Sequence, residues 1–202
     1  MHKVFISYHH ANDQDYKEEL LRLNRIYPMF IDGSVDTGDI SDDLDDQAIR
    51  QKIRDEYLSD TTVTILLVGT ETKNRKHVDW ELYSSMFDGK VNKKSAVIVI
   101  TLPSTGCTYY TVAHGDEEKQ RLYPNNSSWM TIDSKAEYEK RYPYLPDRII
   151  DNLMTKKAKI SVTNWNIIAN DLGALQFLVN AAFDDKAVCE YDLSRPMRRR
   201  DS

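Results

Sequence analysis

The sequence is poor in cysteine, glycine and proline, and this scarcity excludes several classes of protein. Its 202 residues include two cysteines, Cys107 and Cys189, and neither lies in a CxxC or CxxH pattern. The sequence therefore predicts no zinc site, and it lacks the cysteine density of a disulfide scaffold. With seven glycines and six prolines, it contains no low-complexity segment and no internal repeat.

Positive charge is also in short supply. The chain has 27 lysines and arginines against 32 aspartates and glutamates, so its net charge is −5. This balance argues against a nucleic-acid partner, because such binding draws its affinity from neutralising phosphates. The basic run at Arg195 and Arg198 to Arg200 is interpreted as a solvated tail over residues 195–202, and an electrostatic patch is the alternative.

Long apolar runs are absent as well. No stretch reaches the roughly 18 apolar residues of a membrane-spanning helix. No charged-then-apolar leader precedes the first predicted strand. We therefore expect a soluble, cytoplasmic protein with no membrane partner.

Several nucleotide-binding and catalytic motifs are missing. No GxGxxG follows the first predicted strand, no GxxxxGK is followed by Ser or Thr, and no GxSxG occurs. The first two absences argue against a Rossmann dehydrogenase and a P-loop enzyme, and the third against an α/β-hydrolase. A response-regulator receiver needs an aspartate ending the third strand and an acidic pair after the first. This chain has Gly69 and Tyr8-His9 at those places.

The sequence does contain an alternation of short apolar runs and amphipathic segments. This alternation predicts a doubly wound α/β fold with a parallel sheet, in a single domain over residues 1–202. Asp13 and Ser41 are the predicted N-caps of the first two helices. The predicted strands are 4–8, 29–31, 62–68, 95–102 and 158–162, and the main predicted helices are 13–24, 41–58, 77–87, 165–169 and 172–183.

Residues 104–146 interrupt the alternation as a long insertion after the fourth strand. The segment has no clear period, but it carries seven tyrosines and tryptophans, which is typical of packed rather than disordered chain. We predict a short helix over residues 134–141. A loop of this length within a domain usually has a function, and a lid or a trigger-sensing surface is our hypothesis for it.

An aspartate cluster opens the second predicted helix, at Asp42, Asp43, Asp45 and Asp46. Acidic side chains in a first turn favour the positive end of the helix dipole, which is sufficient reason for the cluster. A divalent-ion site is the alternative, but the spacing is not that of a calcium-binding loop. We therefore predict no metal site.

Residues 62–82, TVTILLVGTETKNRKHVDWEL, carry the most information about function. They predict a buried strand, a short turn and the start of a helix. Glu81 lies about one turn into that helix, close to the carboxyl end of the strand, which is the edge where open α/β sheets bind ligands. From the residues alone, an ordinary surface glutamate is the alternative interpretation.

Other polar residues are predicted at the same edge, where they could hold a ribose or phosphates. Each has a structural alternative as an ordinary loop residue, a tight turn or a solvated turn. They are Ser7, Tyr8 and His9 after the first strand, Asp32 and Gly33 after the second, and Asn74, Arg75 and Lys76 before the helix.

Two stretches resemble a known family. VFISY at residues 4–8 resembles the first conserved box of TIR domains. Residues 49–82 resemble the TIR-like family of bacteria and archaea that includes the TIR component of Thoeris anti-phage systems, and YDLSRPMRRR at residues 191–200 resembles a subset of that family.

The resemblance implies a flavodoxin-like sheet of order 2-1-3-4-5 and an enzyme that cleaves the nicotinamide–ribose bond of NAD⁺. NAD⁺ is then the substrate, no further cofactor is expected, and the catalytic glutamate of the family corresponds to Glu81. The implied product is ADP-ribose or a cyclic ADP-ribose-type second messenger. The implied partners are other TIR domains in an assembly, an effector protein reached through the diffusible nucleotide, and a phage-derived trigger.

One departure from the family concerns the aromatic residue near the glutamate. Many members have an aromatic residue four positions before it, whereas this chain has His77 there and Trp80 directly before Glu81. Helix neighbours lie about 100° apart, so Trp80 does not simply replace the missing aromatic. It is interpreted either as a core residue or as a ring that stacks on a base or on nicotinamide.

Breaking the nicotinamide–ribose bond builds positive charge on the ribose, as in glycoside hydrolysis. Nicotinamide leaves as a neutral molecule, so one well-placed carboxylate is enough. The alternative from another functional class is a non-catalytic TIR module that signals by self-association, and fold alone does not separate the two.

Overall fold

The computed structural model describes residues 1–34, 44–90 and 92–201, and all structural statements refer to these ranges. They form five strands: β1 (Lys3–Ser7), β2 (Ile31–Asp32), β3 (Val63–Val68), β4 (Ala96–Thr101) and β5 (Ser161–Asn164). The α-helices are α1 (His10–Ile26), α2 (Asp46–Lys52), α3 (Lys76–Met86), α4 (Gly115–Leu122), α5 (Lys135–Arg141), α6 (Asp147–Thr155), α7 (Trp165–Asn170) and α8 (Leu172–Asp185). A π-helical turn over Ile53–Tyr57 follows α2, and 3-10 turns cover Thr72–Asn74 and Pro103–Thr105.

The five strands form one parallel sheet of order β2-β1-β3-β4-β5. The predicted flavodoxin-like, doubly wound parallel sheet is therefore confirmed. Every residue of β3 and β4 is buried, because helices cover both faces of the sheet at its centre. This is the physical reason that their sequences read as continuous apolar runs.

Each face of the sheet has its own hydrophobic cluster, since successive side chains of a strand point to opposite faces. Ile65 and Leu67 of β3 contribute to the cluster under α1 and α8. Leu66 and Val68 contribute to the cluster under α3 and α6. A third cluster joins β1, α2 and α3, and its members are Phe5, Ile49, Ile53, Tyr57, Leu58, Trp80 and Met197.

The fifth strand lies later in the chain than predicted. The apolar run at 158–162 suggested a strand there, whereas β5 covers Ser161–Asn164 and pairs with residues 98–101 of β4. Tertiary hydrogen bonds make a polar strand acceptable in the core. The Tyr123 hydroxyl donates to Thr163 Oγ1 over 2.9 Å, and Ser161 Oγ accepts from the Ala113 backbone N–H over 3.2 Å.

The predicted start of the first helix is also wrong. Helix α1 begins at His10 with His9 as its N-cap residue, so Asp13 lies inside its first turns and is buried. Asp13 packs against Gly69 at the end of β3. The predicted cap Ser41, with Asp42 and Asp43, lies outside the described residues, and Asp45 caps α2 by accepting from the Ala48 N–H over 2.8 Å.

The insertion at 104–146 is packed, and it includes the predicted short helix as α5, which Ser134 caps. Its aromatic and aliphatic side chains belong to the main clusters: Tyr123 lies in the cluster under α8, and Ile132, Tyr138 and Tyr142 lie in the cluster under α6. The segment is therefore part of the core, and its complete deletion would expose both clusters.

Residues 195–201, here called the strap, are not the solvated tail that the sequence suggested. The strap runs across α3, and Met197 is 4% exposed within the third cluster. Arg195 donates to Asp151 of α6 over 2.6 Å. The prediction failed because arginine density indicates solvation on average. Here the buried side chains of Arg148, Trp80 and Asp79 hydrogen-bond to the backbone of the strap, and Met197 packs in the core.

Candidate functional site

Glu81 faces β1 from the middle of α3, at the carboxyl edge of the sheet. Its Oε2 accepts a 2.6 Å hydrogen bond from the hydroxyl of Ser7, the last residue of β1. Glu81 is 5% exposed and Ser7 is 1% exposed. The structure thus brings together two predicted site residues that are far apart in the chain.

The packing of α3 explains this placement. Val78, Leu82 and Met86 pack against the sheet, which fixes the rotation of the helix. One turn after Glu81, Ser85 is fully buried and its hydroxyl lies 2.8 Å from that of Thr64 on β3. Small buried side chains such as Ser85 allow α3 to approach the sheet closely. Glu81 lies where this contact between α3 and the sheet reaches the carboxyl end of β1.

Burial decides the protonation of Glu81. Removing the carboxylate from water raises the pKa of Glu81 to about 7, and the hydrogen bond from Ser7 acts in the opposite direction. The group therefore titrates near neutral pH, where an ordinary surface glutamate is fully ionised. Such a perturbed carboxyl group at a sheet edge is typical of a functional site.

A charged rim lies beside this pair. It is built from residues that follow β1 and β3, together with Asp201 of the strap. Arg75 Nη2 lies 3.3 Å from Glu71 Oε2, and Arg75 Nη1 lies 3.7 Å from Asp201 Oδ2. Asp201 Oδ1 also accepts from the Lys76 N–H, at the first turn of α3, over 2.8 Å. Burial lowers the pKa of His9 at this rim, and the nearby charge of Arg75 lowers it further.

Tyr8 does not join Glu81. Side chains alternate along β1, so Tyr8 enters the cluster on the opposite face from Ser7. Its hydroxyl hydrogen-bonds to Gln14 Oε1 over 2.5 Å, and its ring stacks on His10 at 4.4 Å between centroids. These contacts give Tyr8 a structural role in seating α1.

Asp32 and Gly33 also lie away from the glutamate. Asp32 pairs with Val4, three residues before Ser7, which is about 10 Å along a strand. Its carboxylate accepts from the Ser34 N–H over 2.9 Å and so closes its own turn. A side chain at Gly33 would lie 2.9 Å from Thr61 Cγ2, so glycine is required there for packing.

The remaining predicted residues divide between core and rim. Trp80 is fully buried in the third cluster, and its indole N–H donates to the carbonyl of Arg198 over 2.6 Å. His77 is exposed one turn before Glu81 on the same helix, with its ring edge-on to Trp80 at 4.9 Å. Asn74 lies in the 3-10 turn that leads into α3.

Two residues at this edge were not predicted as site residues. Asp13 is a second buried carboxylate, whose pKa is raised by burial, and it accepts a long hydrogen bond of 3.4 Å from Thr72. Asp201 comes from the strap, far away in the chain. No local pattern marks either residue as part of a site, because both reach the edge through tertiary packing, and the pattern at Asp13 indicated only a helix cap.

Within residues 1–34, 44–90 and 92–201, no group of three His, Cys, Asp or Glu side chains is arranged to hold a metal ion. In the same part of the chain, no helix has the length and apolarity needed to cross a membrane.

Comparison with known protein families finds a match to the first half of the chain. The family described as Thoeris protein ThsB, TIR-like domain, matches residues 5–106, which is 102 of the 202 residues. The matched region runs from β1 to just after β4, so it includes Ser7, the rim residues His9 and Arg75, and the whole of α3, but not Asp201. No curated protein matches the chain. The match indicates a TIR-family role in Thoeris defence, and the chain belongs to the ThsB TIR-like domain family.

Proposed function

We propose that the protein is an NAD⁺-consuming enzyme that cleaves the nicotinamide–ribose bond, with Glu81 as the catalytic residue. The observation that carries this proposal is the buried Glu81 carboxyl group, held by Ser7 at the carboxyl edge of β1. Family membership supports the proposal, because the resemblance to TIR-like proteins implies this chemistry.

In the proposed reaction, the bond between the ribose C1′ and the nicotinamide nitrogen breaks heterolytically. Its electron pair goes to nicotinamide, which leaves neutral, and positive charge develops on the ribose. The Glu81 carboxylate stabilises that charge and orients the ribose hydroxyls. No general acid is required, which fits a site with one carboxyl group at its centre.

A nucleophile then captures the ribosyl cation. Attack by water gives ADP-ribose, and attack by a hydroxyl or ring nitrogen of the same dinucleotide gives a cyclic product. In either case the new bond forms at C1′, and a proton is released when the nucleophile carries one. Glu81 is suited to accept it, since a base is most effective when its pKa lies near the working pH.

Substrate binding is assigned to residues around Glu81. Ser7 orients the carboxyl group, His9 and Arg75 form the charged rim, and Asn74 and His77 flank the start of α3. Tyr8, Asp32, Gly33 and Trp80 are left out, because their side chains or backbones are committed to packing. In the cell, we propose that the product is a messenger for an effector protein and that a phage-derived trigger activates the enzyme.

The test is nicotinamide release from NAD⁺, with mass analysis of the nucleotide product. Wild type, Glu81→Gln and the matched control Glu117→Gln are compared at high protein concentration and in lysate of phage-infected cells. Glu117 is an exposed residue of α4. We expect release by wild type and the control, and a loss of at least about a hundred-fold in Glu81→Gln.

Release by Glu81→Gln at the wild-type rate would contradict the role of Glu81. An absence of release by wild type in every condition would contradict the enzyme. Concentration-dependent assembly, measured by sedimentation of the same samples, would then support a TIR module that signals by self-association.

A further inference from the structure

The inner half of the strap, residues 195–198, is held by buried side chains of α3 and α6. Arg148 is 1% exposed, and its guanidinium forms a paired contact with Asp79 of α3, with N–O distances of 2.8 and 3.0 Å. The same guanidinium donates to the carbonyls of Arg195 and Pro196, over 3.0 and 3.2 Å. Because this buried network ties the strap to α6 and α3 together, the inner half stays in place.

The backbone of the strap is also hydrogen-bonded to α3 at Arg198. The Arg198 carbonyl accepts from the Trp80 indole, and the Arg198 N–H donates to Asp79 Oδ2 over 2.8 Å. Met197 packs beneath this point in the third cluster. These contacts hold the strap along α3, so that its last residues lie at the first turn of that helix.

The outer half is held by surface contacts. Arg199 donates to the Leu44 carbonyl over 2.9 Å and pairs with Asp46, and both side chains are 47% exposed. The Asp201 side chain is 42% exposed and reaches Arg75 and the Lys76 N–H. Exposed ion pairs contribute little to stability, so residues 199–201 can detach without disturbing the inner half.

Asp201 occupies a position suited to an anionic ligand. Its carboxylate lies at the first turn of α3, where backbone N–H groups and the helix dipole favour negative charge. It also shares the positive charge of Arg75 with Glu71, which is the nearer of the two carboxylates. Beside it, His9 Nδ1 and Arg75 Nε are buried and have no hydrogen-bond partner among the described residues. These two nitrogen atoms lie beside Asp201 and could bind a ligand that carries more acceptor atoms than one carboxylate supplies.

The distance from this position to Glu81 matches the proposed substrate. Lys76 precedes Glu81 by five residues of helix, which is about 7.5 Å along the axis. In a nicotinamide dinucleotide, a single methylene ester link joins the reacting ribose to the diphosphate. The first turn of α3 is therefore within reach of the diphosphate of a dinucleotide whose ribose lies at Glu81.

We propose that residues 199–201 form an autoinhibitory contact, in which Asp201 holds the place that the substrate diphosphate takes during the reaction. The proposal rests on the proposed NAD⁺-cleaving function for the identity of the ligand. Arg75 and the first turn of α3 are then the diphosphate subsite, and the outer strap must leave before substrate binds.

The subsite is tested with inorganic pyrophosphate as the probe. Binding to the full chain is measured by calorimetry and by hydrogen exchange of the backbone amides at the start of α3. Asp201→Asn should bind pyrophosphate about three- to ten-fold more tightly than wild type, which is the scale of removing a competing capping contact and a surface ion pair. Asp184→Asn, an exposed acid on α8, is the matched control and should equal wild type.

Arg75→Gln introduced into Asp201→Asn should abolish the gain in affinity. Equal pyrophosphate affinities of wild type and Asp201→Asn would overturn the proposal, and so would a gain that survives loss of Arg75. Both variants lie in exposed or half-exposed contacts, so each is expected to fold.

The nicotinamide-release assay separates this proposal from the function on which it rests. A lower KM for NAD⁺ in Asp201→Asn, with kcat unchanged, supports the autoinhibitory contact. Release with the same KM in both proteins overturns the contact and leaves the enzyme standing. A third outcome is tighter pyrophosphate binding by Asp201→Asn without nicotinamide release by either protein. This outcome would support an anion site covered by Asp201 and would overturn the assignment of that site to NAD⁺.

Discussion

The hydroxyl of Ser7 donates a 2.6 Å hydrogen bond to Oε2 of Glu81, across the contact between β1 and α3. The bond favours the ionised carboxylate, whereas burial of the pair favours the protonated acid. Burial is the larger effect, and the result is a carboxyl group that titrates at about 7. This balance makes the protonation of Glu81 sensitive to a single hydroxyl.

The pH dependence of nicotinamide release follows from that balance. We expect kcat/KM to rise with pH to a plateau, with a midpoint near 7, because the ionised form of Glu81 stabilises the ribosyl cation. Ser7→Ala removes the interaction that lowers the pKa of Glu81, so its midpoint should move to higher pH. At pH 7 its rate should fall about ten-fold.

The matched control for this profile is Ser128→Ala, an exposed serine of the insertion, which should reproduce the wild-type curve. Superimposable profiles for wild type and Ser7→Ala would show that the Ser7 hydroxyl does not control Glu81.

Stability should depend on pH through the same residue. The unfolded chain loses the Glu81 proton near the ordinary value of 4.5, whereas the folded protein keeps it up to about 7. Because a raised pKa in the folded state gives stability that is lost as pH rises, the contribution of Glu81 falls between these values and is constant above them. The loss amounts to about 3 kcal/mol.

Urea unfolding of wild type and Glu81→Gln at several pH values measures this difference. Relative to wild type, Glu81→Gln should gain free energy of unfolding between about pH 4.5 and pH 7, since glutamine does not titrate. Parallel pH curves for the two proteins would contradict the burial of a titrating carboxyl group. Glu117→Gln, with its exposed side chain, should run parallel to wild type.

Gly69 and Asp13 should be energetically coupled. A Cβ at Gly69 would clash with the carboxylate of Asp13, which is buried. Gly69→Ala should therefore destabilise the protein by about 1–3 kcal/mol, the usual cost of overpacking. In an Asp13→Ala background the same change should cost much less, and a double-mutant cycle from denaturant unfolding gives the coupling free energy. Additive effects would contradict the contact.

Trp80 should behave as a core residue. Trp80→Phe keeps most of the buried ring but leaves the Arg198 carbonyl without its indole donor, which should cost about 1–3 kcal/mol of unfolding free energy. Trp129→Phe, at a side chain that is 39% exposed, should change stability by less than about 0.5 kcal/mol. If Trp80 instead stacked on the substrate, the KM for NAD⁺ would rise while stability stayed unchanged.

Much of the fold followed from local signals. The apolar runs at 62–68 and 95–102 correspond to β3 and β4 within one residue at each end, and the helix predicted at 77–87 corresponds to α3. These elements lie at the centre of the sheet or against it, where burial on both sides makes the pattern unambiguous. The short edge strand β2 and the polar strand β5 were displaced, because their positions depend on pairing with β1 and β4.

The candidate site was predictable in part. The topology of a parallel sheet brings the ends of β1 and β3 to one edge, and that rule predicted Ser7, His9, Arg75 and Glu81 together. The same rule also placed Tyr8 and Asp32 at this edge, beside Glu81. Strand alternation sends Tyr8 to the other face, and the register of β2 stops Asp32 about 10 Å short of the Ser7 position.

The sequence by itself determined the class of fold, which follows from periodicity. The family, and the glutamate on which the proposed chemistry depends, follow from the resemblance of stretches close together in the chain to TIR-like proteins. The tertiary structure alone decided that Glu81 is buried against Ser7 with a pKa near 7, that Trp80 is core, and that a basic segment lies across α3 with Asp201 at its first turn. Desolvation and long-range contacts set these properties. Both depend on which distant side chains meet in space, and no local pattern in the chain encodes that.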